Sequence, residues 1–164
     1  MSRPNTAPRP TPVRTFSLWG DMADPVTPTV ARLRRDWEQH RAEVVFDCAT
    51  SGPQRHTFAG PLLREVVAVA QPRFGPLRRK ERSRFLLAVS GGDGHHTVLS
   101  WAEIDADFGN APVLLATRMD GRDLDEAGTQ FVVPHDRRGA RYVSAVTGIR
   151  LGSHRRTGLL PAEA

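Results

Sequence analysis

Between residues 62 and 70 the apolar side chains of Leu62, Leu63, Val66, Val67 and Ala70 recur at the three-and-four spacing that lines one face of an α-helix. Pro61 precedes them at a position where its missing N–H costs nothing, so a core-facing helix is predicted to open there. A shorter helical stripe of Val30, Leu33 and Trp37 follows Thr29, whose hydroxyl can cap the segment VARLRRDW. Elsewhere the period drops towards two, or apolar residues run together. TFSLWG (15–20), AEVVFDC (42–48), FLLAVS (85–90), HTVLS (96–100) and PVLLA (112–116) read as strands. RHTF (55–58) is a short extended piece, and the chain ends in QFVVP and RYVSAVTGIRL, which can close a sheet.

Punctuation supports the division. Ser100 and Glu103 in SWAEI stand at the capping-box spacing, which predicts a short helix. DMADPVTP, Ser51-Gly52-Pro53, GGDG and MDGRDL are turn signals. Strands interrupted by short helices, without a regular βαβ alternation, predict an α+β domain with mixed, mainly antiparallel sheets. No internal repeat is present.

Composition refines this picture in a few places. A chain of 164 residues is expected to form one core. Pro4, Pro8, Pro10 and Pro12 make residues 1–14 a disordered Pro/Arg-rich arm, which leaves a domain at 15–152 and a flexible tail at 153–164. No apolar run approaches the roughly 18 residues of a transmembrane helix, and the N-terminus lacks the apolar segment of a secretory signal, so the cytoplasm is the expected compartment. A single cysteine, Cys48, excludes an internal disulfide. The net charge of +5 comes from 23 basic residues, of which only Lys80 is a lysine. They are scattered except in RFGPLRRKERSR (73–84), which reads as a solvated loop before it reads as a phosphate or partner site. No helix-turn-helix, RRM or zinc-finger pattern accompanies the charge, so nucleic acid is not the expected partner.

The chemistry-bearing residues each admit two readings. Cys48 is either a ligand held out by a loop for a metal or a small apolar residue at the end of a strand. HDRRGAR (135–141) gathers cationic side chains around Gly139; it can grip a phosphate, or its Arg141 can pair with a structural carboxylate. His56 follows the cysteine loop and is either a site residue or a structural histidine. His95 and His96, adjacent on a strand, point to opposite faces and cannot both bind one metal, and no Cys-x-x-Cys or His-x-x-x-His spacing points to zinc. Trp19, Trp37 and Trp101 are spaced as core anchors of separate elements, and Asp105 with Asp107 fits turn chemistry better than paired acid–base catalysis.

Four blocks taken together carry a resemblance: LWGDMADPVTPTVARLRRD, FDCATSGPQRHTFAGPLLREVV, SGGDGHHTVLSWAEIDADFGNAPVLLATRMDG and FVVPHDRRGARYVSAVTGIRL, covering about residues 16–151. In their order they are similar to the molybdopterin-binding domain of the sulfite oxidase family, which includes bacterial methionine sulfoxide reductases of the molybdenum type. That resemblance implies the family's α+β fold and a molybdopterin cofactor whose molybdenum takes the thiolate of Cys48, a soft ligand suited to the metal. It also implies cofactor contacts from His56, His135, Arg138, Gly139 and Arg141. Thr117 stands in the neighbourhood of the family's active-site tyrosine and offers a hydroxyl to an oxo group. The activity so implied is oxygen-atom transfer on an oxyanion or sulfoxide-type substrate, with electrons passed to a separate partner. The alternative is a cofactor-free binding or scaffold protein that retains the fold.

Overall fold

A long hairpin organises the functional half of the chain. The structure, a computed structural model, describes residues 14–48, 52–74 and 78–153, with Asp47 and Cys48 described through their backbone. The arm expected at 1–14 and the tail expected at 153–164 lie almost wholly outside those residues. In chain order the elements are β1 (Ser17–Gly20), α1 (Val30–Asp36), β2 (His40–Cys48), β3 (Gly52–Gly60), α2 (Leu63–Val69), α3 (Arg79–Arg82) and β4 (Phe85–Gly91). There follow β5 (His96–Ser100), α4 (Trp101–Ile104), β6 (Leu114–Ala116), β7 (Arg118–Met119), β8 (Arg122–Asp123), β9 (Gln130–Val132) and β10 (Val146–Ser153). One sheet has the order β1-β10-β4-β5, a second β2-β3-β7-β8, and β6 pairs with β9. Among the described strands only the β1–β10 pairing is parallel. The architecture is mixed α+β with mostly antiparallel sheets and short helices.

The helical signals act as their chemistry requires. Leu62, Leu63, Val66, Val67 and Ala70 are all buried, each leucine or valine contributing about 1.5–3 kcal/mol by leaving water. The Thr29 hydroxyl accepts the Arg32 N–H at 3.0 Å and so caps α1. Ser100 and Glu103 close the capping box of α4 reciprocally. Asp120 and Gly121 adopt φ of 51° and 77°, the two left-handed positions that let a two-residue turn join β7 to β8.

Three expectations need correction. The hairpin is longer than its sequence pattern: β2 and β3 pair over nine residues each, from His40 opposite Gly60 to Cys48 opposite Gly52. Its outer face is polar, with Arg41, Glu43 and Arg55 exposed, so the apolar pattern marks only part of it. The strand expected at 112–116 shrinks to Leu114–Ala116, consistent with proline's inability to donate to a ladder. The basic segment at 73–84, described except for 75–77, is not simply a solvated loop. It forms α3 and sends Arg82 into contact with Asp107 and to within 3.3 Å of Asp105. Asp105 is itself buried, accepting Trp101 Nε1–H at 2.8 Å and the Asp107 N–H at 2.9 Å, the turn chemistry its sequence suggested.

At the base of the hairpin Gly60 meets β6. A Cβ placed on it would lie 2.2 Å from the Leu115 carbonyl oxygen and 2.7 Å from Ala116 Cα, both backbone atoms that cannot swing aside. Gly60→Ala is therefore expected to cost about 3 kcal/mol by overpacking, read as a lowered midpoint in denaturant with an unchanged slope.

Candidate functional site

Period-two alternation along β2 and β3 sends Phe46, His56 and Phe58 to the inner face of the second sheet. The rings of Phe46 and His56 are 5.7 Å apart, and Tyr142 meets Phe46 edge-on at 4.7 Å and 85°. His56 is oriented from the far side by Asp120, whose Oδ2 lies 2.7 Å from Nδ1 while its Oδ1 accepts the Thr57 N–H at 2.9 Å. The hydrogen bond from His56, then the Thr57 amide, holds the Asp120 carboxyl below the usual range. Tyr142 is buried and donates its hydroxyl to the Val133 carbonyl at 2.9 Å. Burial, reinforced by the nearby Asp136 charge, pushes its pKa up to about 12.

The basic loop closes over this aromatic cluster. Gly139, which opens a single 3-10 turn through Arg141, presses on β2 so closely that a Cβ there would lie 3.1 Å from Phe46 Cδ1. Arg141 is clamped: Nε and Nη2 donate to the two oxygens of Asp136, each at 2.8 Å, and Nη1 donates to Glu103 Oε1 at 2.9 Å. The Asp136 bonds first, then Glu103, raise its pKa further above the arginine range. His95 Nε2 lies 2.9 Å from the Ala140 carbonyl and ties the loop to the end of the β4–β5 hairpin. His135, Arg137 and Arg138 are exposed around the clamp.

Of the residues singled out in the sequence, the fold gathers most and separates one. The backbone of Cys48 is two strand positions beyond Phe46, so the Cys48 end of β2, His56 and the loop of His135, Arg138, Gly139 and Arg141 share one neighbourhood. The Cys48 thiol lies outside the described atoms. Thr117 is elsewhere. Its N–H bonds the Ala59 carbonyl, whereas Cys48 pairs with Gly52, seven residues or roughly 23 Å along β3. The Thr117 hydroxyl is fully buried and donates to Gln39 Oε1 at 2.6 Å, so the catalytic part that the resemblance gave it does not fit. Arg141 likewise spends its guanidinium on two carboxylates rather than presenting it to a ligand, the structural alternative weighed from the sequence.

Sequence reasoning missed Phe46, Tyr142, Asp120 and the second bond of Glu103. Only Asp120 carried a signal, as the first residue of the Asp-Gly turn. Among the described residues no three His, Cys, Asp or Glu side chains gather as metal ligands, and no helix is long and apolar enough to cross a membrane.

With the geometry in place, the fold can be set beside known proteins. No family model and no curated protein matches the chain. Among solved structures, the sulfane dehydrogenase SoxCD from Paracoccus pantotrophus is similar over 84% of this chain, with a TM-score of 0.64 and 18% identity. The likeness is one of fold. The chain spans 38% of that protein's length.

Two titrations test the electrostatics. In His56→Leu the Asp120 carboxyl should titrate at higher pH than in the parent, followed by carboxyl-carbon NMR. Its depressed pKa stabilises the fold above the unfolded value of about 4, a contribution lost as pH falls, so the variant should also show a shallower acid loss of stability. Tyr142 is the single tyrosine, so phenolate absorbance reports it alone. It should ionise near pH 12, and the stability it confers should be complete below about pH 10 and lost between there and 12.

Proposed function

We propose that the chain is a molybdopterin-binding domain of the sulfite oxidase-like class, serving an oxidoreductase. One observation carries the reading: the Cys48 end of β2 and the basic loop at 135–141 meet at the Phe46–Gly139 contact. The residues present fit the cofactor in kind. A cysteine ends the strand whose Phe46 meets Gly139, and the loop of Gly139 exposes His135, Arg137 and Arg138, which suit the anionic tail of a pterin. In this reading Cys48 supplies the thiolate to molybdenum, while His135, Arg138 and the Gly139 backbone hold the tail. Arg141 acts as a brace, fixing the loop through Asp136 and Glu103. His56, oriented by Asp120, borders the site with one ring nitrogen already committed. Oxygen-atom transfer is the chemistry the cofactor supplies when bound. The resemblance in sequence and a structural neighbour that is a dehydrogenase support the same class. A substrate of oxyanion or sulfoxide type and a separate electron-transfer partner complete the proposal.

A second reading, a cofactor-free binding protein on the same fold, is favoured by one feature. Both Arg141 and Thr117 have their polar atoms satisfied internally, as in a site that no longer engages a ligand.

Metal analysis separates the two. Protein made in a host with an intact molybdopterin pathway should carry molybdenum in near-equimolar amount, and Cys48→Ser should lose it. The variant should keep the far-UV circular dichroism of a folded chain, with a lower melting temperature as the bound cofactor is lost. Equally low metal in both proteins would leave the second reading standing.

A further inference from the structure

The outer face of the same sheet carries a different chemistry. Register sets Arg41 of β2 opposite Ala59 of β3, and Ala59 opposite Arg118 of β7. Residues directly opposite one another share a face, and neighbouring strands lie about 4.8 Å apart. Two arginines therefore rise roughly 10 Å apart on either side of a single methyl group. Thr57, two positions along β3, extends the floor, and the Asp120–Gly121 turn closes one end of an open groove of about 340 Å³. That volume is within the range of small-molecule sites.

Two guanidinium groups flank the groove, each with one carboxylate partner, and the Asp120 carboxylate stands at its end. Arg118 gives Nε to Asp123 at 2.7 Å, and Arg41 gives Nη2 to Glu43 at 3.3 Å. Each guanidinium has five N–H donors, so these bonds leave further donors for a ligand, and both side chains are mostly exposed. The carboxylates nearby face their own partners: Asp120 faces His56 and the Thr57 amide, Glu43 faces Arg41 and Arg55, and Asp123 faces Arg118 and Arg34. An anion between the two side chains can accept from the N–H donors that Glu43 and Asp123 leave open. Planar guanidinium forks suit a phosphate, and the arginine stems with the Ala59 methyl offer an apolar bed for a ring or short chain.

We propose that this groove binds a small organic phosphate, with Arg41 and Arg118 gripping the phosphate and its apolar body lying over Ala59. Arg41, Ala59 and Arg118 lie on the opposite face from Phe46 and His56; the groove shares Phe58 and Asp120 with that side, but the proposal does not require a bound cofactor.

The test is a titration of the isotope-labelled full chain with phenyl phosphate, followed by amide NMR. Saturable shifts are expected at Arg41, Thr57, Ala59, Arg118 and Gly121. Arg41→Gln and Arg118→Gln should each weaken binding by about tenfold, the equivalent of one charge-assisted hydrogen bond, with melting temperature unchanged. Arg55→Gln, on the same hairpin but outside the groove, should bind as the parent does. Non-saturating shifts, or equal losses in all three variants, would mean diffuse attraction to a cationic surface and would overturn the proposal.

Discussion

Glu103 holds two parts of the molecule with one carboxylate. Its Oε2 accepts the Ser100 N–H and closes the capping box of α4, while its Oε1 accepts Arg141 Nη1. A local device for starting a short helix thereby becomes the anchor of a loop 38 residues further on. The Asp136 carboxylate grips the same guanidinium from within the loop, so the backbone of residues 136–141 is fixed at both ends. Gly139 then packs on Phe46, two strand positions from Cys48, while His135, Arg137 and Arg138 of the same loop stay exposed. The clamp acts together with the His95 contact to the Ala140 carbonyl and the Tyr142 ring against Phe46, which hold the same loop to its neighbours.

The hairpin supplies the second constraint. Its rigid alternation divides one pair of strands into an aromatic inner face and an arginine-bearing outer face. Its length also separates its ends. The tip carries Cys48, whereas the base is locked into the core by Gly60 against β6 and by the bond from Thr117 to Gln39. A hydroxyl at the base cannot serve chemistry at the tip, which is why order along the sequence misleads about Thr117. A chain can preserve the succession of motifs while the register decides which of them face one another.

Legibility followed range. The α2 stripe, the Thr29 cap, the Ser100–Glu103 box and the Asp-Gly turn were readable because each is completed within a few residues. The full extent of β2 and β3 was not, since exposed Arg41, Glu43 and Arg55 blur the apolar pattern while cross-strand hydrogen bonds hold the pairing. The alternatives for Arg141 and for the segment at 73–84 turned on distant partners. Arg82 finds Asp105 and Asp107, and Arg141 finds Glu103; nothing in the local sequence marks such meetings. Cys48 was legible as a candidate, but its backbone ends β2 opposite Gly52 rather than lying on a loop, a placement that depends on cross-strand pairing.

The same long-range pairing reshapes the meaning of the chain's positive charge. A nucleic-acid surface needs cations ranged together against a phosphate backbone. Here arginine after arginine is turned towards an aspartate: Arg34 to Asp125, Arg82 to Asp107, Arg118 to Asp123 and Arg141 to Asp136. Where these pairs are half-exposed each is worth at most about 1 kcal/mol, so their main effect is to fix loops rather than to raise stability. Among the described residues these pairs take up part of the positive charge one arginine at a time. The rest is left locally instead, as on the loop held by Glu103 and Asp136, where His135, Arg137 and Arg138 stay exposed while Arg141 is consumed in holding the backbone.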